Sequence, residues 1–163
     1  MLAVVLAIGA ALTLAAPAQE SPPVETVGFD ELLDPGPKLA ISRKALALAG
    51  RRVRLVGFMV KMELPPRGAF YLAPRPLFID ESGGGTGDLP PQAVRVVVRS
   101  SPDEELPWVP RPLEVTGVLE VGNSTDADGR VSAFRIVLDR REDVGAPSEA
   151  PAPRSQRSTP HSQ

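Results

Sequence analysis

Three stretches of this chain alternate apolar and polar residues with period two, and that alternation limits its fold more than any other feature. In 93–99, Val94, Val96 and Val98 share one face and Arg95 and Arg99 the other. In 113–121, Leu113, Val115, Leu119 and Val121 alternate with Glu114, Thr116 and Glu120. In 131–139, Phe134, Ile136 and Leu138 fall in phase. Successive side chains of a strand point to opposite faces, so each pattern marks a strand with one buried face. A further strand is expected over 52–61, and another over 69–73 that resumes over 77–79 beyond Pro74 and Pro76. Gly57 and Gly117 fall near the middle of two of these strands, where a missing side chain lets a strand coil sharply or take a bulge. The link 123–129 ends in Asp128-Gly129, a hairpin signal. One short helix is expected over 43–49, with Ser42 as N-cap and Gly50 at the C-cap glycine position. The 19 prolines and 14 glycines suit short strands and turns. Together these predict a mainly β protein: a small five-stranded OB-like Greek-key barrel with one short N-terminal helix. An open β-sandwich or other β-roll fits the same periodicity.

The two ends of the chain differ from this middle. Residues 2–16 carry no charge and are mostly Leu, Ala, Val and Ile, followed by the small-x-small step Ala16-Pro17-Ala18. The run falls short of the roughly 20 residues that span a bilayer, so 1–18 is expected to be a cleaved signal peptide, with a retained anchor as the alternative. Without cysteine, a lipoprotein anchor is excluded. Residues 19–38 hold five acids, Glu20, Glu25, Asp30, Glu31 and Asp34, and read as an acidic extended leader docked through Phe29, Leu32 and Leu33. Residues 145–163 are rich in Pro, Ser and Ala and are expected to be disordered, because they have too little apolar surface to offset ordering entropy. The β domain then occupies 39–144, enough for one modest core.

The segment 48–60, Leu-Ala-Gly-Arg-Arg-Val-Arg-Leu-Val-Gly-Phe-Met-Val, resembles the opening of an exported bacterial family known only as a domain of unknown function. The resemblance continues through Phe70-Tyr71-Leu72, through Pro90-Pro91 into Val94–Val98, and through Arg111-Pro112-Leu113 to Gly117. It implies an OB-like fold, export and no known activity. Many members of that family carry cysteine near the end of the second strand; here that stretch is Phe78-Ile79-Asp80-Glu81-Ser82-Gly83, so no thiol or metal role transfers.

Composition removes several chemistries. With no Cys and only His161, thiol nucleophiles, His-based triads and Cys/His metal sites are excluded. The Gly83–Gly87 loop has no Lys after its last glycine, which a P-loop needs. Asp126-Ala127-Asp128-Gly129 looks like part of an EF-hand loop, but with Ser124 at position one the twelfth position is Arg135 rather than a bidentate carboxylate. Asp80 and Glu81, and Asp103-Glu104-Glu105, sit among Ser, Gly and Pro and read as solvated loop charge. An OB-like fold invites nucleic acid, with Arg52, Arg54, Arg95 and Arg99 as the basic face and Phe70 and Tyr71 as stacking rings. Net charge −2 and seven aromatics argue against it. The expectation is an exported, periplasmic or secreted, non-enzymatic OB-like accessory module. It has no cofactor or metal, binds no nucleic acid and recognises an envelope protein partner. The alternatives are a small-ligand or glycan binder, and a hydrolase using Asp80 or Glu81. The candidate contact residues are Phe70, Tyr71, Arg75 and Trp108.

Overall fold

A computed structural model of the chain describes residues 23–36, 38–80, 85–126 and 129–146, and the statements below concern these residues. The elements are β1 (Glu25–Thr26), α1 (Arg43–Leu48), β2 (Arg52–Met59), β3 (Lys61–Met62), β4 (Ala69–Ala73), β5 (Phe78–Ile79), β6 (Val94–Val98), β7 (Pro112–Thr125), β8 (Val131–Leu138) and β9 (Val144–Gly145). The expected signal peptide, most of the expected disordered tail, Glu81 and Asp128 lie outside the described residues.

The protein is mainly β. Its main sheet has seven strands in the order β1-β2-β4-β6-β8-β7-β9, two more than the five expected, because β1 and β9 each add two residues. β2 pairs along one edge with β7, from Arg52↔Val118 to Phe58↔Pro112, and at its end with β4 through Met59↔Leu72. The path β2-β4-β6-β8-β7 therefore returns to β2 and closes a circuit of five strands. All of its neighbours are antiparallel except β6 and β8, which are parallel.

The alternation in the sequence maps onto this circuit residue by residue. Leu113, Val115, Gly117 and Leu119 of β7 are buried, as are Phe134, Ile136 and Leu138 of β8, and Val94, Val96 and Val98 of β6. They meet Val53, Leu55 and Met59 of β2 and Ala45 and Leu48 of α1 in one core. Helix α1 begins where Ser42 Oγ accepts the Ala45 N–H at 2.9 Å and stops before Gly50, whose φ of +77° suits glycine. The acidic stretch ahead of it enters the fold. β1 runs parallel to β2 at Val53 and Arg54, and Phe29 and Leu32 are buried in the main core. The Phe29 ring lies against Gly57, where a Cβ would stand 2.7 Å from it.

Three strand boundaries differ from the sequence expectation. The strand expected over 52–61 breaks after Met59; Val60 N–H still donates to Tyr71 O at 2.9 Å, but Lys61 turns away into β3. The resumption expected over 77–79 is β5, which pairs in parallel with β3 in a separate two-stranded sheet. β7 runs four residues beyond Val121, to Thr125, through a register shift between Val121 and Ser124, where Gly122 takes φ +120°.

Candidate functional site

Four of the five circuit strands begin or end on one cavity of about 410 Å³. Met59 ends β2, Phe70 stands at the start of β4, Val98 ends β6 and Leu113 lies at the start of β7. The antiparallel and parallel registers bring these termini to the same end of the circuit. Pro107 and Val109, on the strap between β6 and β7, and Val144, Gly145 and Ala146 form the walls. The floor is the core itself, since Met59, Phe70, Val98, Leu106 and Leu113 all belong to the main cluster. Arg111 and Arg141 complete the lining, and both are exposed. Arg141 reaches Glu104 at 3.7 Å, a surface pair worth little. Among the described residues no Asp or Glu lines the cavity.

A second feature lies on the outer face of β4 and β6. β3, β5 and Leu89 cover that face, so all five residues of β4 are buried, and Val60, Tyr71, Ala73 and Ile79 form a small second core. Beneath this cover Arg95 is only 5% exposed. Its Nη1 donates to Tyr71 Oη at 3.0 Å, its guanidinium lies 5.5 Å from the Tyr71 ring centroid, and its Nε faces Asp126 Oδ2 at 2.9 Å. The other Asp126 oxygen accepts from Arg135 Nη2 at 2.6 Å, and Arg135 Nε donates to Ser132 Oγ at 3.0 Å. This network ties the β7–β8 hairpin end to β4 and β6.

A third feature is a line of exposed side chains. Trp108 is 44% exposed, and its indole Nε1–H donates to Met59 O at 3.1 Å. The Lys61 ammonium sits 5.2 Å from the Trp108 ring and 5.9 Å from that of Phe78, which is 60% exposed.

The residues singled out in the sequence therefore separate. Phe70 is buried and forms cavity floor. Tyr71 is buried on the opposite face of β4 and anchors Arg95. Arg75 is exposed on the turn after β4, and Trp108 stands outside the strap. Neither Phe70 nor Tyr71 can stack on a base, being 4% and 2% exposed. The four arginines proposed as a basic face are each held by a carboxylate: Arg52 by Asp143 at 2.8 Å, Arg54 by Glu114 at 3.1 Å, Arg95 by Asp126 and Arg99 by Asp139 at 3.4 Å. Asp80 is exposed. Sequence reasoning missed the burial of Arg95 and the cavity role of Met59, Leu106 and Arg141. A signal for the former existed: Ala69–Ala73 is apolar throughout, without alternation, which marks a strand covered on both faces.

One carboxylate outside these features has a displaced acidity. The Lys44 ammonium, donating to Glu31 Oε1 at 2.7 Å, and the Gly28 N–H, donating to Oε2 at 2.8 Å, hold the Glu31 carboxyl below its ordinary value. The same pair raises Lys44.

No family model matches the sequence, and no curated protein matches it. Among solved structures, the chain is similar to a DUF3299 family protein from Pseudomonas aeruginosa PAO1, a crystal structure at 2.45 Å resolution. The two are 18% identical, the match covers 79% of this chain and 99% of that one, and the TM-score is 0.44. A likeness of that size assigns no role to any residue here.

Proposed function

We propose that this protein is an exported, non-enzymatic binding module built on an OB-like Greek-key barrel, and that it binds an apolar ligand in the cavity at the end of the strand circuit. The observation that carries the reading is the cavity itself. At about 410 Å³ it falls within the range of small-molecule sites, and its floor is core side chain while its rim is polar. The barrel reading draws support from the order of the five circuit strands. Numbered along the chain they run 1-2-3-5-4 and back to 1, with strands 3 and 5 parallel, which is the connectivity of a five-stranded Greek-key barrel. Export draws support from the apolar run 2–16 and Ala16-Pro17-Ala18, and places the module in the periplasm or outside the cell. The non-enzymatic reading draws support from composition: the sequence has no Cys and a single His, which removes thiol nucleophiles and His-based triads.

The test is a titration with N-phenyl-1-naphthylamine, a neutral apolar fluorophore. One saturable site is expected, lost in Val109→Phe, which pushes a ring into the cavity from its partly buried wall. No saturable signal, or an unchanged signal in a folded Val109→Phe protein, refutes the reading. A second reading, docking of an envelope protein, is favoured by exposed Phe78 and Trp108 flanking Lys61. Crosslinking from position 78 that captures one protein in the envelope fraction, and is lost in Trp108→Ala, supports it.

A further inference from the structure

The two cationic side chains on the cavity's lining say what sort of apolar ligand it suits. Resting on the reading that the cavity binds, we infer that its ligand is a single-chain amphiphile with a carboxylate head: the acyl chain lies on Met59, Phe70, Leu106 and Leu113, and the carboxylate sits between Arg111 and Arg141.

Three observations carry this. First, the apolar and cationic parts are segregated. The floor residues are buried members of the core, whereas Arg111 and Arg141 are exposed beside them. Both arginines belong to the same lining as the floor, so a ligand on the floor has cationic side chains on the wall around it. Second, among the described residues the lining is charged in one sign only, with two arginines and no acid. Third, Arg141 already faces a carboxylate: Glu104 stands 3.7 Å away on an exposed side chain, so a ligand carboxylate can replace it without leaving a buried charge orphaned. Arginine suits the task because its planar fork matches a carboxylate in two-point contact. Elsewhere on the circuit arginines are committed to shorter contacts, such as Arg52 with Asp143 at 2.8 Å and Arg135 with Asp126 at 2.6 Å. At the cavity rim, by contrast, an added anion meets an Arg141 held only by a 3.7 Å contact between exposed side chains.

The test is calorimetry of the purified protein with hexanoate, octanoate and decanoate below their micellar concentrations, and with 1-decanol and decylammonium as matched heads. Each added methylene buried on the floor is worth about fourfold in affinity, from about 0.8 kcal/mol per group. Decanoate should therefore bind about fifteenfold more tightly than octanoate, and should exceed decanol and decylammonium. Arg111→Gln and Arg141→Gln should each weaken decanoate by up to about fivefold, the scale of an exposed charge pair, and leave decanol unchanged. Glu104→Gln should tighten decanoate by removing the competitor, a gain that no loss of folding can mimic. Equal binding of decanoate and decanol, indifferent to both arginines, overturns this inference and leaves the cavity reading standing. If no ligand binds and the neutral fluorophore also fails, both fall. Binding of short peptides ending in an apolar residue, with decanoate inert, also overturns it in favour of a peptide carboxyl terminus.

Discussion

Adding a single methyl group at Gly117 is the sharpest check on the packing described above. A Cβ there would stand 2.5 Å from Val137 O, 2.6 Å from Leu138 Cδ2 and 2.8 Å from Ile136 Cγ2. The first of these decides the size of the effect. Val137 O is backbone of β8, which β7 engages at Val118↔Val137 and Leu119↔Ile136, so it can retreat only by opening the ladder. Overpacking a core typically costs about 1–3 kcal/mol, and a backbone obstacle places this case near the top of that range. Against it, alanine restricts the unfolded chain more than glycine, a gain of about 0.4–1 kcal/mol. The net expectation for Gly117→Ala is a loss of about 2 kcal/mol, which for a domain of this size lowers Tm by roughly 6–10 °C.

The assay is urea denaturation followed by the fluorescence of Trp108, the sole tryptophan, with far-ultraviolet dichroism as a second probe. The midpoint should fall while the slope m stays constant, since the surface exposed on unfolding is the same. Gly87→Ala is the control: nothing lies within 4 Å of its Cβ position, so its midpoint should stay within about 0.5 kcal/mol of wild type. Gly57→Ala should fall between the two. Its nearest obstacle is the Phe29 ring at 2.7 Å, a side chain that can shift, with Ala73 O farther off at 3.0 Å. A Gly117→Ala protein as stable as the Gly87→Ala control would refute the placement of β7 against β8.

Three further outcomes are expected. Arg95→Leu should cost about 3 kcal/mol, the scale of a broken buried pair, because it strands both the Tyr71 hydroxyl and one Asp126 oxygen; a urea midpoint near wild type would contradict the network. Glu31→Gln should cost less than about 1 kcal/mol at neutral pH, since Glu31 and Lys44 are partly exposed. Because folding lowers the Glu31 pKa, the wild-type advantage is complete above the ordinary value of 4.5 and is lost as pH falls through the lowered one, so midpoints of the two proteins should converge in acid and not in base. Millimolar Ca²⁺ should leave Tm unchanged, because binding at Asp126 would have to displace both Arg95 and Arg135; a rise of several degrees would refute that assignment.

What the sequence disclosed and what it hid follow from how each part is encoded. A strand with one buried face writes its register into every second residue, so 93–99, 113–121 and 131–139 placed their inward side chains correctly. Helix α1 was readable because Ser42 and Gly50 encode its ends locally. The cover over β4 and β6 was hidden because β3 and β5 are two residues each and the chain between them follows no period. Without that cover Arg95 reads as an ordinary outward arginine, and Tyr71 as an available ring. The cavity was hidden for a different reason: its lining comes from residues 59, 70, 98, 106, 107, 109, 111, 113, 141 and 144–146, which only the closed circuit brings together.

The two ends of the circuit are finished differently, and that difference bears on function. At the start of β2, helix α1 drives Ala45 and Leu48 into the core and satisfies its own backbone by turn and cap. At the far end a strap, 101–111, takes the helix's place, and it contains Pro102, Pro107 and Pro110. Proline has no N–H to satisfy, so such a strap can cross an apolar opening without leaving donors stranded. It also does not fill that opening as a helix would, because it turns Leu106 inward while leaving the large Trp108 ring outside. A strap that covers core without filling it leaves a cavity lined by core side chains and edged by whatever polar residues flank it, here Arg111 and Arg141. Replacing Pro107 with Ala should therefore cost little stability, since its side chain is exposed, yet weaken ligand affinity by loosening the strap; equal affinity in the two proteins would show that the strap does not shape the site.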